Sequence, residues 1–230
     1  MDFYPGAYAE YCLAWGDLVF PIPDGVPSED AAMADVVCVG VHAISRCTIY
    51  PGANILCIGG GPIGFCAAQV ALASGAAKVF VSEPAPIARQ ALEQLSSKGV
   101  VVIDPMREDI SDVVKRTHEG KVASIIDSVG SPRVLETFLP LLEESGTYLN
   151  LAVHDSTATL SLLAIGSERM ITTSSNALYR DVARAYELLY ARQVNVRPMF
   201  THRLPLEQFQ QGFDLLLREP KEAYKVLLNP

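Results

Sequence analysis

The stretch Asn54–Gln69, NILCIGGGPIGFCAAQ, decides the fold of this chain. It begins with a short apolar run, turns at three consecutive glycines, and continues past a proline and a fourth glycine into a helical pattern. A buried strand that leads through a glycine-rich turn into a helix is typical of the opening of a strand–helix–strand unit. Within the turn the spacing is Gly59-x-Gly61-x-x-Gly64.

Apolar runs and helical patterns alternate through most of the chain, which predicts a parallel sheet with helices on both faces. We therefore predict an α/β fold with a doubly wound parallel sheet. A helix is predicted to begin with Ser28 as its side-chain N-cap, followed by acidic residues in the first turn. The predicted strands lie in NILCIG, KVFVSE, VVVID, VASIIDSVG, TYLNLAV, TATLSLLAI and ERMITTSS. The later predicted helices include SPRVLETFLPLLEESG, YRDVARAYELLYARQV and LEQFQQGFDLLLRE, and a last strand lies in YKVLLN.

The composition argues against several classes of partner. The 230 residues carry 18 basic and 26 acidic side chains, a formal net charge of −8, and the basic ones are scattered. Because nucleic-acid phosphates are bound by basic surfaces, we expect no nucleic-acid partner. No apolar stretch approaches the roughly 20 residues that cross a bilayer, and the N-terminus lacks the pattern of a signal peptide. The sequence therefore predicts a soluble, cytoplasmic protein with no membrane partner.

The glycine spacing predicts a binding site for the pyrophosphate of a dinucleotide. Gly59 permits the tight turn, Gly61 lets the pyrophosphate approach the backbone, and Gly64 lets the helix pack closely on the strand. The free N–H groups at the start of the helix then face the anion. Pro62 fits the first helical position, where no hydrogen bond is lost with its missing N–H. The predicted loop contacts are Gly59, Gly61, Pro62, Ile63 and Gly64.

Glu83 ends the second predicted strand, 19 residues beyond Gly64. An acidic residue at this distance binds the ribose hydroxyls of the adenosine half of NAD, and its charge repels a 2′-phosphate. Arg89 lies downstream, and an arginine near this position can instead pair with that phosphate. The sequence therefore favours NAD as the cofactor and leaves NADP as the alternative.

The five cysteines are odd in number and widely spaced, at Cys12, Cys38, Cys47, Cys57 and Cys66. No CxxC pair is present, so neither a zinc ribbon nor a redox dithiol is predicted. Cys57 and Cys66 fall in apolar segments and are expected in the core.

The order of these motifs resembles the zinc-type medium-chain dehydrogenases, the family of alcohol and polyol dehydrogenases. The resemblance is carried by GAYAEYCLAWGDLVFPIPDGVPSEDAAMADVVCVGVHAI and PGANILCIGGGPIGFCAAQVA, and VSEPAPIARQAL resembles the butanediol and sorbitol dehydrogenase branch. THRLPLEQFQQGFDLLL and KVLLNP resemble the return of the chain to the family's catalytic domain. The resemblance implies a Rossmann dinucleotide-binding domain at 28–196. It also implies a small remnant of a GroES-like catalytic domain at 1–27 and 197–230.

The catalytic zinc of that family is not expected here. The family's cysteine ligand and Gly-His-Glu motif have no counterpart in this sequence. In the secondary-alcohol branch an Asp seven residues before a His is the third ligand, and this pattern remains as Asp35 and His42. The two lie on one face of the predicted helix, about 10 Å apart along its axis, which is too far to share one ion. Because a catalytic zinc needs three converging protein ligands, we predict no metal site.

A reductase without zinc needs another group to stabilise the alkoxide that develops during hydride transfer. A proton donor such as His or Tyr can serve. The resemblance places His42 on the helix that approaches the nicotinamide, so His42 is the first catalytic candidate. Asp35, on the same helix, is the second. The further candidates are Tyr4, Tyr8 and Tyr11 near the same cleft, and His154 after a predicted strand.

The resemblance also implies cofactor contacts beyond the glycine loop, in three segments that follow predicted strands. They are Val129 and Gly130 on the adenosine side, Leu151, Ala152 and Val153 by the nicotinamide ribose, and Thr173 and Ser174 beside the nicotinamide. The family usually has a glycine where Ala152 stands, so the backbone approaches the cofactor less closely there.

Two functions remain open. The first is a zinc-independent NAD(P)H-dependent reductase or dehydrogenase that acts on a polar keto compound or secondary alcohol, sugar-like or polyol-like, as a biosynthetic tailoring step. The second is a non-catalytic dinucleotide-binding or redox-sensing subunit that works with a partner enzyme. The intact glycine loop and Glu83 favour the first, whereas the missing zinc ligands favour the second.

The resemblance further implies a homodimer, because the family pairs its cofactor domains edge to edge through late strands. Here TATLSLLAI and ERMITTSS are the segments expected to pair. Apolar edge strands left exposed would otherwise invite aggregation.

Overall fold

A computed structural model describes residues 6–117, 120–153, 155 and 157–230 of the chain. The strands of its main sheet are β1 (Asn54–Ile58), β2 (Lys78–Ser82), β3 (Val100–Ile103), β4 (Val122–Asp127), β5 (Leu142–Asn150) and β6 (Met170–Thr173). They are parallel and lie in the order β3-β2-β1-β4-β5-β6. The strand order reverses between β1 and β4, as in a doubly wound Rossmann sheet. The predicted α/β fold with a doubly wound parallel sheet is thereby confirmed.

Helices cover both faces of this sheet. They are α1 (Ser28–Ala31), α2 (Ala34–Ile44), α3 (Pro62–Ala73), α4 (Pro86–Glu93), α5 (Ile110–Lys115), α6 (Pro132–Phe138) and α7 (Tyr179–Tyr190). Successive residues of a strand point to opposite faces. Ile55 and Cys57 of β1 therefore join the apolar cluster with α2, α3 and α7, whereas Leu56 and Ile58 join the cluster with α5. Among the described residues no helix combines the length and apolarity needed to cross a bilayer.

The last part of the chain forms a second, two-stranded parallel sheet. Its strands are β7 (Phe200–Pro205) and β8 (Lys225–Asn229), and α8 (Phe209–Leu217) lies between them in the chain. The helix and the last strand expected near the C-terminus are thus confirmed. β7 was not predicted, because its sequence mixes polar and charged side chains with a closing proline that favours a loop interpretation.

The prediction of one helix capped by the Ser28 side chain is wrong in its details. The segment forms two helices, α1 and α2, and Ser28 is the first helical residue rather than the cap. Pro27 holds the cap position with extended dihedral angles and no side-chain hydrogen bond. The N-cap residue of a helix has extended dihedral angles, which proline can adopt. Pro27 can therefore occupy this position although it has no side-chain hydrogen-bond acceptor.

Two other local predictions are also wrong. The segment TATLSLLAI is not a strand: Leu162–Ile165 forms a 3₁₀ helix, and Ser161 Oγ accepts the Leu163 N–H at 3.2 Å. Such a local side-chain bond competes with pairing to a neighbouring strand. The helix predicted in SPRVLETFLPLLEESG ends at Phe138, and β5 already begins at Leu142. Pro140 explains the early end, because a proline interrupts helical hydrogen bonding.

Candidate functional site

The candidate site lies beyond the carboxyl ends of β1 and β4. Ile58, the last residue of β1, pairs with Asp127 at the end of β4 and with Ser82 at the end of β2. In open α/β sheets, ligands bind in the crevice where the strand order reverses, which here is the border between β1 and β4. The glycine loop leaves β1 at this point and enters α3.

The glycine loop has the geometry expected from its spacing. Gly59 has a φ of +96°, in the left-handed region that favours glycine. A Cβ on Gly64 would lie 2.0 Å from the carbonyl oxygen of Gly59, so α3 packs against the end of β1 at backbone distance. A Cβ on Gly61 would meet no atom within 4 Å, and Gly61 is the N-cap of α3. Open space before the first turn of a helix is where an anion reaches free N–H groups.

Pro62 and Ile63 form the first turn of α3 behind this loop. Pro62 is the first residue of the helix, as expected, and Ile63 is exposed beside it. The first turn therefore presents its backbone to the loop side without a polar side chain of its own.

At Gly60, which the GxGxxG spacing leaves unspecified, a side chain would crowd its neighbours. A Cβ there would lie 2.6 Å from Leu92 Cδ1 and 2.9 Å from Glu83 Cβ. The Gly60 N–H donates to Glu83 Oε2 at 2.8 Å, and the Ala85 N–H donates to Oε1 at 2.7 Å. The Glu83 carboxylate is buried and holds the loop backbone directly. Each carboxylate oxygen can accept a further hydrogen bond, so this side chain can also receive a ribose hydroxyl.

Arg89 is engaged with an acidic side chain. Its Nη2 lies 2.9 Å from Asp104 Oδ2, and both side chains are mostly buried. Its Nη1 donates to the carbonyl oxygens of Glu83 and Pro84. An arginine whose two terminal nitrogens already have acceptors offers little to a further anion.

Asp127 belongs to the site although the sequence analysis did not single it out. Its Oδ1 accepts the N–H groups of Val129 and Gly130 at 2.8 and 2.9 Å, and Oδ2 accepts the Tyr148 hydroxyl. Burial and the neighbouring Asp127 carboxylate raise the pKa of Tyr148, so its hydroxyl stays protonated as a donor. Asp127 thus fixes the turn that carries Val129 and Gly130. The sequence feature that could have identified Asp127 is its position as an acidic residue at the end of the apolar run VASIID.

The segment after β5 is fixed to the end of β4. The Leu151 N–H donates to the Asp127 carbonyl oxygen at 2.8 Å. The side-chain amide of Asn150 bonds both the N–H and the carbonyl oxygen of Ala152, at 3.2 and 3.0 Å. Val153 is almost fully exposed. Leu151 and Ala152 therefore present an ordered backbone at the carboxyl edge of the sheet.

Thr173 is the last residue of β6, and Ser174 follows it next to this segment. The Ser174 N–H donates to the Asn150 carbonyl oxygen at 3.1 Å. Arg46, just beyond α2, donates to the Thr173 carbonyl oxygen at 2.7 Å and to Thr172 Oγ1 at 2.9 Å. The Ser174 hydroxyl is buried and has no hydrogen-bond partner among the described residues. Because an unpaired buried hydroxyl costs about 1–3 kcal/mol, a ligand that pairs with it would gain affinity.

His42 faces Asp181 of α7. Its Nδ1 lies 3.1 Å from Asp181 Oδ2, an oxygen that also accepts the Leu178 N–H at 2.7 Å. His42 Nδ1 has no hydrogen-bond partner among the described residues, so its contact with Asp181 is a close approach rather than a well-formed hydrogen bond. Because Nδ1 faces a carboxylate, a ligand that exchanged a proton with this ring would do so at Nε2, the other ring nitrogen.

Asp35 and Cys38 lie one turn apart on α2 and line a cavity of about 580 Å³. Phe20 of the N-terminal segment and Asn176 beyond β6 lie on other walls of this cavity. Burial, together with the charges of Asp35 and Asp181, raises the pKa of Cys38 to about 11. The thiol therefore stays protonated at neutral pH and is a poor nucleophile.

The described residues do not fit a catalytic zinc ion. Within residues 6–117, 120–153, 155 and 157–230, no three His, Cys, Asp or Glu side chains are grouped so that they could hold a metal. Asp35 lines the cavity whereas His42 faces Asp181, so the helix gives these two side chains different neighbours.

Two of the tyrosine candidates, Tyr8 and Tyr11, are exposed. Tyr8 packs edge-on against Phe213 of α8, with ring centroids 5.7 Å apart, and Tyr11 is almost fully exposed. Tyr4 and His154 lie outside the described residues.

Comparison with known proteins agrees with the fold. Sorbitol dehydrogenase from Bacillus subtilis is 24% identical over 98% of this chain and 64% of its own length. (R,R)-Butanediol dehydrogenase from Neisseria gonorrhoeae is 26% identical over 92% of this chain and 60% of its own length. The chain thus spans less than two thirds of these relatives.

Solved structures show the same architecture at lower identity. The crystal structure of 2R,3R-butanediol dehydrogenase from Bacillus subtilis matches with a TM-score of 0.82 and 21% identity, over 92% of this chain and 60% of that one. A short chain alcohol dehydrogenase from Escherichia coli, solved in complex with NADH, matches with a TM-score of 0.81 and 17% identity, over 92% and 62%. The profile of the zinc-binding dehydrogenases matches residues 62–190, which is more than half of the sequence. The chain therefore belongs to the zinc-binding dehydrogenase family.

Proposed function

We propose that this chain binds a nicotinamide dinucleotide and acts as an NAD(P)-dependent oxidoreductase on a sugar-like or polyol-like keto compound or secondary alcohol. The observation that carries the proposal is the glycine loop, in which Gly59, Gly60 and Gly64 have no room for a side chain while Gly61 faces open space. The names of the relatives, among them sorbitol, butanediol and L-galactonate-5-dehydrogenase, support the substrate class. A role as a biosynthetic tailoring step stays a prediction.

We propose NAD rather than NADP as the preferred cofactor. The Glu83 carboxylate lies at the end of β2, where the adenosine ribose of a bound dinucleotide is expected. A 2′-phosphate would meet that negative charge. Arg89, the cation expected to offset it, is paired with Asp104.

In the proposed reaction the chain's own groups orient the reactants and move the proton. When bound, the cofactor supplies or accepts hydride at its nicotinamide. Ser174 offers its unpaired hydroxyl on the nicotinamide side. His42 exchanges a proton with the substrate oxygen at Nε2, and Asp181 lies 3.1 Å from Nδ1 on the other side of the ring. Asp35, on the wall of the 580 Å³ cavity, binds a substrate hydroxyl.

We propose that this transfer needs no zinc ion. The absence of a three-ligand group from the described residues supports this. The check is turnover before and after dialysis against a chelator. Activity that is lost on dialysis and returns with added zinc would contradict the proposal.

The alternative is a non-catalytic dinucleotide-binding or redox-sensing subunit that works with a partner enzyme. It is favoured by the different surroundings of Asp35 and His42, which do not converge on one another. This function predicts cofactor binding without oxidation of NADH or NADPH by any ketone.

We also propose a homodimer formed along β6 and a cytoplasmic location. We further propose two domains, one at 28–196 and the other made of 1–27 together with 197–230. β6 is an edge strand, which supports the pairing. The six-stranded sheet falls within 28–196 and the two-stranded sheet within 197–230, which supports the division. All five cysteines carry free thiols, as suits a reducing compartment.

The first experiment is a calorimetric titration with NADH and, separately, with NADPH. We expect tighter binding of NADH, and we expect Glu83→Gln to reduce the preference about tenfold, a change of about 1.4 kcal/mol. Asp104→Asn, which frees Arg89, should raise NADPH affinity. Failure to bind either cofactor would refute the proposed function.

The second experiment separates the enzyme from the binding subunit. Polyol-like ketones are screened with the preferred cofactor, and His42→Ala and Asp35→Ala are compared with the wild-type chain. We expect turnover that falls about 100-fold or more in His42→Ala, the usual scale of general acid–base catalysis. His202→Ala is the matched control, because its ring lies beside Thr201 in β7 and outside the site. Unchanged rates in both α2 variants would remove these residues from the mechanism.

A further inference from the structure

Tyr224 joins the C-terminal part of the chain to the glycine loop. Its hydroxyl donates to the carbonyl oxygen of Gly60 at 2.6 Å in a buried hydrogen bond that spans 164 residues of sequence. Its ring packs edge-on against Phe65 of α3, with centroids 6.1 Å apart. One residue next to β8 therefore contacts both the loop and the helix that the loop enters.

The Tyr224 side chain is held in place and keeps its proton. Its backbone N–H donates to Thr201 Oγ1 at 3.0 Å, which fixes the residue to β7. Burial, with smaller contributions from Cys66 and Glu83, raises the pKa of the phenol well above its usual range. The hydroxyl is therefore a donor throughout the neutral pH range.

Two buried side chains together hold both polar groups of Gly60. Glu83 accepts its N–H, and Tyr224 donates to its carbonyl oxygen. In a planar trans peptide, the carbonyl of one residue and the N–H of the next point to opposite sides. Because the Gly60 carbonyl points inward to Tyr224, the N–H of Gly61 points outward. On that residue an added Cβ meets nothing within 4 Å.

We propose that Tyr224 is a positioning residue for the pyrophosphate group, because it orients the Gly60–Gly61 peptide so that the Gly61 N–H faces a phosphate oxygen. The inference rests on the proposed binding of a dinucleotide, and it makes that binding depend on the two-stranded sheet. Without the hydroxyl, the Gly60 carbonyl would be buried without a donor, and a peptide between two glycines can rotate to find another. That rotation would turn the Gly61 N–H away from the phosphate.

The test compares Tyr224→Phe with the wild-type chain in titrations with ADP-ribose and with adenosine. Both ligands carry adenine and ribose, but only ADP-ribose carries the pyrophosphate. We expect the variant to bind ADP-ribose about tenfold more weakly and adenosine with unchanged affinity. Equal affinity of the two chains for ADP-ribose, or an equal loss for both ligands, would overturn the proposal.

Tyr50→Phe is the matched control. The Tyr50 hydroxyl donates to the Glu143 carboxylate at 2.9 Å, at the amino end of the sheet and away from the loop. The control should bind ADP-ribose as tightly as the wild type does. A loss as large as that of Tyr224→Phe would show that the effect is not specific to the loop, and would overturn the proposal.

A second measurement does not depend on the folding of the variant. In the wild-type chain, the NMR signal of the Gly61 amide should shift on addition of ADP-ribose and stay in place with adenosine. If ADP-ribose binds but the NMR signal of the Gly61 amide does not shift, the inference would be overturned, whereas the proposed function would stand. A wild-type chain that binds neither NADH nor ADP-ribose would refute the proposed function, and the inference with it.

Discussion

Gly61 and Gly64 lie three residues apart in the glycine loop, yet an added methyl group meets different surroundings at each. On Gly64 it would lie 2.0 Å from the carbonyl oxygen of Gly59, and on Gly61 it would meet no atom within 4 Å. A backbone oxygen cannot move aside unless β1 or α3 shifts. A methyl group on Gly64 therefore strains the fold, whereas one on Gly61 enters only the space proposed for the phosphate.

We expect Gly64→Ala to lower the free energy of unfolding by about 1–3 kcal/mol, as overpacking does in protein cores. Gly61→Ala should lower it by less than about 1 kcal/mol, since it changes only an N-cap. The same Gly61→Ala chain should bind NADH about tenfold more weakly, a loss of about 1.4 kcal/mol. Urea unfolding and calorimetric titration measure the two effects. The reverse pattern, with Gly64→Ala fully stable, would contradict the packing argument.

At the scale of an element, the start of α7 depends on one buried carboxylate. Asp181 Oδ2 accepts the N–H of Leu178, which precedes the helix, and lies 3.1 Å from His42 Nδ1 on α2. The side chain therefore caps the N-terminus of α7 and also links that helix to α2. Its removal affects both helices.

We expect Asp181→Ala to lower the free energy of unfolding by about 1–2 kcal/mol, the usual range for a lost cap. Asp181→Asn keeps an acceptor for the Leu178 N–H, so its loss should be smaller. Glu187→Ala on the same helix is the control, because Glu187 forms an exposed ion pair with Arg184. Exposed pairs contribute about 1 kcal/mol or less. Denaturant unfolding of the three variants provides the comparison, and equal losses in Asp181→Ala and Glu187→Ala would contradict the role of the buried carboxylate.

At the scale of the whole molecule, β6 leaves an apolar edge on the six-stranded sheet. Met170 and Ile171 on this strand are about half-exposed, and Leu162 and Leu163 nearby are almost fully exposed. An edge strand with exposed apolar side chains favours pairing with another chain. A second copy of this chain would extend the sheet through β6.

We expect the wild-type chain to elute as a dimer in gel filtration with light scattering, and Ile171→Lys to elute as a monomer. A buried lysine at the interface carries a charge without a partner, which opposes association. Met106→Lys is the control, since Met106 is exposed in the segment that follows β3, the opposite edge strand. A wild-type monomer at all concentrations would contradict the proposed dimer, and a dimeric Ile171→Lys would move the interface away from β6.

The buried thiols make the stability of the whole chain sensitive to alkaline pH. Burial raises the pKa of Cys38 to about 11 and those of Cys47 and Cys66 to about 12. In the unfolded chain a thiol loses its proton near pH 8.5, so above this pH the unfolded state binds fewer protons than the folded state. Stability is therefore complete below about pH 8.5 and falls as the pH rises toward 11.

We expect the melting temperature to be nearly constant between about pH 7 and pH 8 and to fall steadily between about pH 9 and pH 11. Cys66→Ala should reduce that slope, because it removes one buried thiol. Cys12→Ala should leave the slope unchanged, because Cys12 is exposed. Melting curves followed by circular dichroism across this range are the measurement, and a flat profile up to pH 11 would contradict the argument.

The sequence by itself determined the doubly wound sheet and the position of the glycine loop. Both follow from local signals: apolar runs of strand length, helical periods between them, and glycines at a spacing that the turn after β1 requires. The same signals misled at TATLSLLAI, where apolar and β-branched residues predict a strand but a serine side chain bonds to the backbone and a 3₁₀ helix forms. Local preference is decisive only where no competing local bond exists.

Only the tertiary structure decided which side chains meet at the site. Arg89 pairs with Asp104, His42 faces Asp181, and Tyr224 reaches Gly60 across 164 residues of sequence. No periodicity in the sequence reports such contacts, because each depends on how separate elements pack against one another. The strand order brings the ends of β1, β4 and β5 together, while the two-stranded sheet brings Tyr224 beneath the loop. The fold was therefore readable from local patterns, whereas the partners of the charged and polar groups were set by packing over long sequence distances.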